Sequence, residues 1–132
     1  MGNILKISDA AAIGLHAMTV MANKDGELVS VKEIADILDV SYNHLSKVLQ
    51  RLVKAELVLS IKGFRGGFKL AKSAKEITFL DIYEAIDGRF KPSKCLLGKL
   101  NCEHKCIMGE FVGSINNQVE EFFGKKILSD FT

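Results

Sequence analysis

Apolar residues recur at three- and four-residue steps through most of this chain, and polar residues collect where that rhythm breaks. Ile13, Ala17, Val20 and Met21 keep helical spacing in a stretch opened by Ser8 and Asp9, a plausible cap, and closed by the turn residues Asn23, Lys24, Asp25 and Gly26. A buried first helix is expected there. Ser30, with Glu33 three residues on, has the capping-box arrangement, and Val31, Ile34, Ala35 and Leu38 supply the apolar stripe of a second helix. Residues 39–41 are a short break in which Ser41 is the next cap. Leu45, Val48, Leu49 and Leu52 then mark the inward face of a third helix, which leaves Tyr42, Asn43, His44, Ser46, Lys47 and Gln50 largely outside.

Beyond Ala55 the period shifts from helical to alternating. Residues 57–61 read as a strand, 62–67 as a glycine-rich tip and 68–71 as the returning strand of a β-hairpin. A fourth helix over 78–86 carries Phe79, Ile82, Tyr83 and Ile86 on one face and stops at Asp87 and Gly88. Residues 89–105 are polar and hold the only proline, Pro92. A last helix, about 107–123, aligns Ile107, Phe111, Ile115, Val119 and Phe122, with Val112 and Phe123 at its flanks. The order of elements predicts a mainly α protein with a small β-hairpin: a winged helix-turn-helix plus a long C-terminal helix. The wide apolar face of that helix in so small a domain favours a homodimer, with the first helix also contributing; the plainer alternative is that it packs on the first helix of its own chain. The division is 1–88 for the winged head, 89–106 for a loop and 107–132 for the dimerisation helix and tail, all within one structural domain.

Composition narrows the class. A length of 132 residues is that of one domain, and a 48% hydrophobic content with mean hydropathy of +0.16 is ample for a core, which excludes a disordered chain. The longest apolar stretch, 10–22, is interrupted by His16 and is shorter than the roughly 20 residues of a membrane span. Residues 1–9 lack the basic-then-apolar order of a leader, so a cytoplasmic protein without membrane contact is expected.

The net charge of +2 hides an uneven distribution. Between Ser41 and Lys72 the basic residues are Lys47, Arg51, Lys54, Lys62, Arg65, Lys69 and Lys72, and the single acid is Glu56; the rest of the chain is net acidic. This basic segment coincides with the third helix and the hairpin. In a helix-turn-helix the second helix lies in the major groove and directs its N-terminal side chains at base edges, while basic residues hold phosphates. Tyr42, Asn43, His44, Ser46 and Lys47 are the base-edge candidates, since Asn pairs with adenine, Lys with guanine and Ser with either. Arg51 and Lys54 suit the backbone. Lys62 and Arg65 border glycines that let the wing approach a minor groove. Ser30, with the Val31 amide, suits a phosphate at a helix N-terminus, and Ser41 joins the same interface. The bland alternative is a solvated helix face and hairpin. Helix spacing, the glycine tip and the depletion of acids together favour double-stranded DNA.

Three cysteines, Cys95, Cys102 and Cys106, lie within twelve residues, and the rest of the chain has none. An odd number in a cytoplasmic setting points to a metal or redox role. Soft thiolates select iron–sulfur clusters, zinc or copper(I), and a cluster ordinarily takes four ligands. Candidates for the fourth are His104 within the loop and His16 or Asp9 on the first helix. The rivals are a three-Cys, one-His zinc site through His104, although its Cys-x-His-x-Cys spacing is cramped, and thiol redox sensing with Lys94, Lys99 and Lys105 lowering the cysteine pKa. Unliganded cysteines are the plainest alternative. An enzyme is not expected: no Cys-x-x-Cys opens a helix, and no nucleotide-binding glycine motif precedes one.

Taken together, these motifs resemble the bacterial regulators that include IscR, NsrR and CymR. The likeness rests on residues 7–22, 34–41, 45–52, 63–70 and 77–88, and above all on Gly63, Gly66 and Gly67 before Phe68, followed by the helix from Ile77 to Gly88 and then the three cysteines. The resemblance implies a homodimer on an imperfectly palindromic promoter site. It also implies that Asn43, His44, Ser46 and Lys47 read the major groove and that Lys62 stands where a wing arginine enters the minor groove. Several such regulators hold an iron–sulfur cluster in the cysteine loop, which implies a 2Fe–2S or 4Fe–4S cofactor on Cys95, Cys102 and Cys106. The fourth ligand varies among them. Gly109 and Ala12 occupy two of its positions here and cannot ligate, whereas His16 lands where one cluster-binding relative supplies its histidine. The implied function is a dimeric transcription regulator sensing iron–sulfur, redox or nitric oxide status; the alternative is a metal-free regulator controlled by thiol oxidation or a protein partner.

Overall fold

The computed structural model describes residues 7–90, 104, 105, 107, 108 and 110–132. Its elements are α1 (Asp9–Ala22), α2 (Val31–Leu38), α3 (Tyr42–Lys54), β1 (Val58–Ile61), β2 (Gly67–Leu70), α4 (Phe79–Asp87), α5 (Phe111–Lys125) and a short 3-10 helix, Leu128–Phe131. The predicted mainly α winged helix-turn-helix is therefore present.

Caps set the helix starts. The Ser8 hydroxyl accepts the Ala11 N–H at 3.0 Å, and Asp9 adds negative charge in the first turn of α1, where the helix dipole favours it. Ser30 accepts the Glu33 N–H at 3.1 Å. The expected reciprocal box at α2 is replaced by a 3.3 Å bond from the Ser30 hydroxyl to the Glu33 carboxylate. The closed box occurs at α4 instead: Thr78 accepts the Asp81 N–H and Asp81 accepts the Thr78 N–H, both at 3.0 Å.

α1 is the central helix, packed on α2, α3, α4, β2 and the 3-10 helix. Its buried residues are Ala11, Gly14, Ala17, Met18 and Met21, whereas Ile13 and Val20 of the expected stripe are only half-buried. Small side chains face inward because neighbouring helices approach closely. A Cβ on Gly14 would run into the Ile86 side chain, with Val48 Cγ1 at 3.5 Å. The single core cluster also takes in Ile34, Leu45, Leu49, Leu52, Ile77 and Ile82.

The hairpin is antiparallel, with Val58 opposite Leu70 and Ile61 opposite Gly67. Val29 and Phe68 exchange backbone bonds of 2.9 and 2.8 Å, which ties the wing to the chain just before α2.

Two expectations about the C-terminal part are corrected. The last helix starts at Phe111, and Ile107 lies in a turn before it, 83% exposed, where Met108 O accepts the Phe111 N–H in an i to i+3 closure. The buried residue of α5 is Phe123; Phe122 and Phe111 are largely exposed. Phe79 decides this register, since its ring meets Phe123 edge-on at 6.1 Å and Phe122 at 6.3 Å while stacking on Phe131 at 5.2 Å. The 3-10 helix was not expected. It buries Leu128 fully, and Leu128 N–H bonds to Ile77 O at 3.1 Å. Among the described residues no helix is long and apolar enough to cross a membrane.

Candidate nucleic-acid interface

The turn between α2 and α3 is tight because Asp39 adopts the left-handed conformation, φ 55° and ψ 50°, and Val40 N–H returns to Ala35 O at 3.1 Å. Ser41 then caps α3 by accepting the His44 N–H at 3.0 Å. Leu45, Val48, Leu49 and Leu52 are all buried and fix the rotation of α3 about its axis. Tyr42, Asn43, His44, Lys47, Gln50, Arg51 and Lys54 consequently face solvent, and Ser46 is half-buried at the margin. The base-edge candidates therefore share the first turns of one helix, on the side away from the core.

The wing projects beside this helix. Gly66 N–H bonds to Gly63 O at 3.0 Å and closes a four-residue turn at its tip. Gly63 has φ +114°, a conformation that favours glycine, and a Cβ on Gly66 would strike the Ile61 carbonyl. Lys62 and Arg65 are exposed at this tip. Among the described residues the one ion pair joins Glu121 to Lys125 on α5, so none of the basic residues from Lys47 to Lys72 has an acidic partner there. A helix face and a loop tip of unneutralised cations form a surface fitted to a polyanion.

Three candidates have additional structural roles. Ser30 and Ser41 cap helices, their hydroxyl oxygens accepting the Glu33 and His44 N–H groups. Arg51 donates from Nη1 to Ile86 O at 2.9 Å, which satisfies a carbonyl at the C-terminal end of α4, and the residue as a whole is exposed. Local periodicity carries no signal for this bond, because the partners are thirty-five residues apart. The same end of α4 also takes the Ser8 hydroxyl and N–H on Asp87, at 2.6 and 3.3 Å, and the Phe90 N–H on Glu84 at 2.8 Å. Tyr83 sits among these groups, edge-on to Phe90 at 5.7 Å and to Phe123 at 6.1 Å. Burial, and then the charges of Asp87 and Glu84, push its phenol pKa above the ordinary 10.0.

Residues 7–132 match the family Rrf2, described as "Iron-dependent Transcriptional regulator". The chain belongs to the Rrf2 family. It is 36% identical over 111 residues to the HTH-type transcriptional regulator NsrR of Oceanobacillus iheyensis, covering 82% of this chain and 72% of that one. Its fold matches CymR, the global cysteine regulator of B. subtilis, with a TM-score of 0.79 and 30% identity over 96% of this chain and 95% of that chain. It also matches T. potens IscR with a TM-score of 0.71 and 28% identity, over 96% and 85% of the two chains. The Rrf2 relatives are transcription regulators and not enzymes.

In this Rrf2 chain Cys95, Cys102 and Cys106 lie outside the described residues. Among the described residues no three His, Cys, Asp or Glu side chains gather as a metal site. His16 is exposed on α1, and its Nδ1 lies 2.8 Å from Ala12 O. A carbonyl only accepts, so a bond here takes the tautomer with the proton on Nδ1, which leaves Nε2 as the nitrogen able to ligate. That is the state in which imidazole ligates a metal, with its other nitrogen held by a carbonyl. His104 makes a like contact, with Nδ1 2.9 Å from Lys105 O. Asp9 is exposed in the first turn of α1. The donor set of three thiolates with one imidazole nitrogen or carboxylate fits an iron–sulfur cluster.

Proposed function

We propose that this Rrf2 regulator acts as a homodimer that reads an imperfectly palindromic promoter site in the cytoplasm and reports iron–sulfur, redox or nitric oxide status through its cysteine loop. The observation that carries the reading is the outer face of α3, where Asn43, His44 and Lys47 stand exposed on a helix locked by its buried leucines, next to a wing with unneutralised Lys62 and Arg65. Asn43, Ser46 and Lys47 bond base edges, aided by Tyr42 and His44. Arg51, with Ser30 and Ser41 at the helix N-termini, holds phosphates. Lys62 and Arg65 enter the minor groove.

Cys95, Cys102 and Cys106 hold the cluster, 2Fe–2S or 4Fe–4S, with His16 through Nε2 as the fourth ligand. When bound, such a cluster supplies a centre that oxidants, nitric oxide or iron loss alter. The chain's own residues carry the response. The end of α4 enters the cysteine-bearing segment at Phe90 and grips α3 through Arg51, so two arrangements of that segment bias the recognition helices toward different spacings.

Anaerobic purification with a visible spectrum and iron and sulfide counts tests the sensor. Iron should be lost in Cys102→Ala and diminished in His16→Ala; unchanged iron in the cysteine variant removes the cluster. Gel shifts at matched salt should separate loaded from apo protein. Equal affinity of the two would sink the coupling. A second reading is favoured by the fold shared with CymR: a metal-free regulator switched by thiol oxidation or a protein partner. It predicts colourless protein under the same purification and affinity that responds to oxidant alone.

A further inference from the structure

We infer that Phe64, at the tip of the wing, is an apolar wedge that inserts between base pairs in the minor groove and kinks the DNA. The inference rests on the DNA-binding reading above. Exposed apolar side chains are ordinary on protein surfaces, but most share contact with neighbours. Phe64 does not: it is 101% exposed, beyond every other large apolar residue among the described ones. Its whole phenyl ring stands in water, and burying a phenylalanine removes roughly 150–250 Å² from solvent.

Geometry and charge choose the occupant. Phe64 and Arg65 are the two central residues of the turn that Gly66 N–H closes on Gly63 O at 3.0 Å. Gly63 at φ +114° and the close approach of Gly66 to the Ile61 carbonyl are what this tight turn requires, and both are met by glycine. The hairpin ladder and the Val29 bridge anchor its base. The ring is thus presented on a short, anchored support rather than on a floppy loop. It is flanked by Lys62 and Arg65, neither of which has an acidic partner among the described residues. An apolar protein partner would favour a neutral rim, whereas a duplex offers phosphates to both cations and a stack of bases to the ring between them. Minor-groove proteins use such wedges to open a base step and bend the helix, typically by roughly 20–90°. The cations fix the wing on the backbone, and Phe64 converts that contact into a bend whose cost depends on the sequence it opens. It therefore sets a preference for deformable steps outside those read by α3.

The test uses the full-length protein purified without oxygen and a duplex it enriches from a randomised library, carrying dyes at its ends and 2-aminopurine along one strand. The wild-type complex should show a bend by energy transfer and brightening at one step under each wing. Phe64→Ala should lose both and weaken binding about tenfold, with the salt slope unchanged because no phosphate contact is lost. Lys62→Ala should instead lower the slope by about one. Phe64→Leu, which keeps an apolar wedge, should retain the bend. A straight, stacked wild-type complex overturns the wedge; so does wild-type affinity and bend in Phe64→Ala, or a Leu complex as straight as the Ala one with thermal unfolding unaltered. If the wild type enriches no duplex, the DNA-binding reading itself fails, a result seen before any variant is made.

Discussion

Adjacent residues of α3 answer to different forces. Leu49 is fully buried among the core side chains, whereas Lys47, two positions earlier, is exposed and has no acidic partner among the described residues. Leu49→Ala should cost about 2–5 kcal/mol in urea unfolding, through lost transfer energy and the cavity left behind. Lys47→Ala should stay within about 0.5 kcal/mol of the parent and show its effect only in DNA affinity. A Lys47 variant that unfolds more easily while binding normally would contradict this division. Tyr83 gives the pH-dependent case. Its folded pKa is raised, first by burial and then by Asp87 and Glu84, so the unfolded chain releases the phenolic proton at lower pH than the folded one. The stabilisation is therefore complete below pH 10.0 and is lost as pH rises through the folded pKa. Urea midpoints compared on either side of pH 10 should fall less in Tyr83→Phe than in the wild type; equal falls would place the alkaline loss elsewhere.

Elements show how far a period can be read. α3 is legible because its two faces differ sharply, with leucines and a valine on one side and polar or basic groups on the other, and its four expected core positions are all buried. α1 lacks that contrast. It is apolar nearly all round, so spacing alone could not choose between Ile13 and Val20 and the Ala11, Gly14 and Met18 that pack inward. The register of α5 depends on Phe79 in another helix, and the 3-10 helix is held by bonds to Ile77 and Ala74, partners that no local pattern displays. The Arg51 bond to Ile86 O has the same character. It gives α3 a mechanical link to α4, so Arg51→Ala should lower stability by about 1 kcal/mol in addition to weakening DNA binding. Lys54→Ala, which removes an exposed cation from the same helix, should weaken binding alone. Indistinguishable unfolding curves for the two variants would show that the Arg51 bond carries no load.

At the scale of the whole molecule, basic charge gathers on α3 and the wing, while α5 carries a line of apolar residues that the single chain leaves partly uncovered. Phe111 and Phe122 are both largely exposed, and with Ile115 and Val119 they follow one line of the helix. In the proposed homodimer a second copy of the same face would cover it, since a two-fold pairing lets each stripe bury its twin and relates the two α3 helices by the symmetry of a palindrome. Phe111 is already 57% exposed in the single chain, so Phe111→Glu should leave the monomer's fold intact while placing like charges across the two-fold axis of the proposed dimer. The variant should sediment at half the wild-type mass and melt through one cooperative transition. Its affinity for a full palindrome should fall by at least about a hundredfold, since the second half-site would no longer be bound intramolecularly, while affinity for an isolated half-site stays unchanged. An unchanged sedimenting mass would move the interface off α5. A halved mass with undiminished palindrome binding would show instead that the two heads bind DNA independently, and any spacing change at the end of α4 would then have no second head to act against.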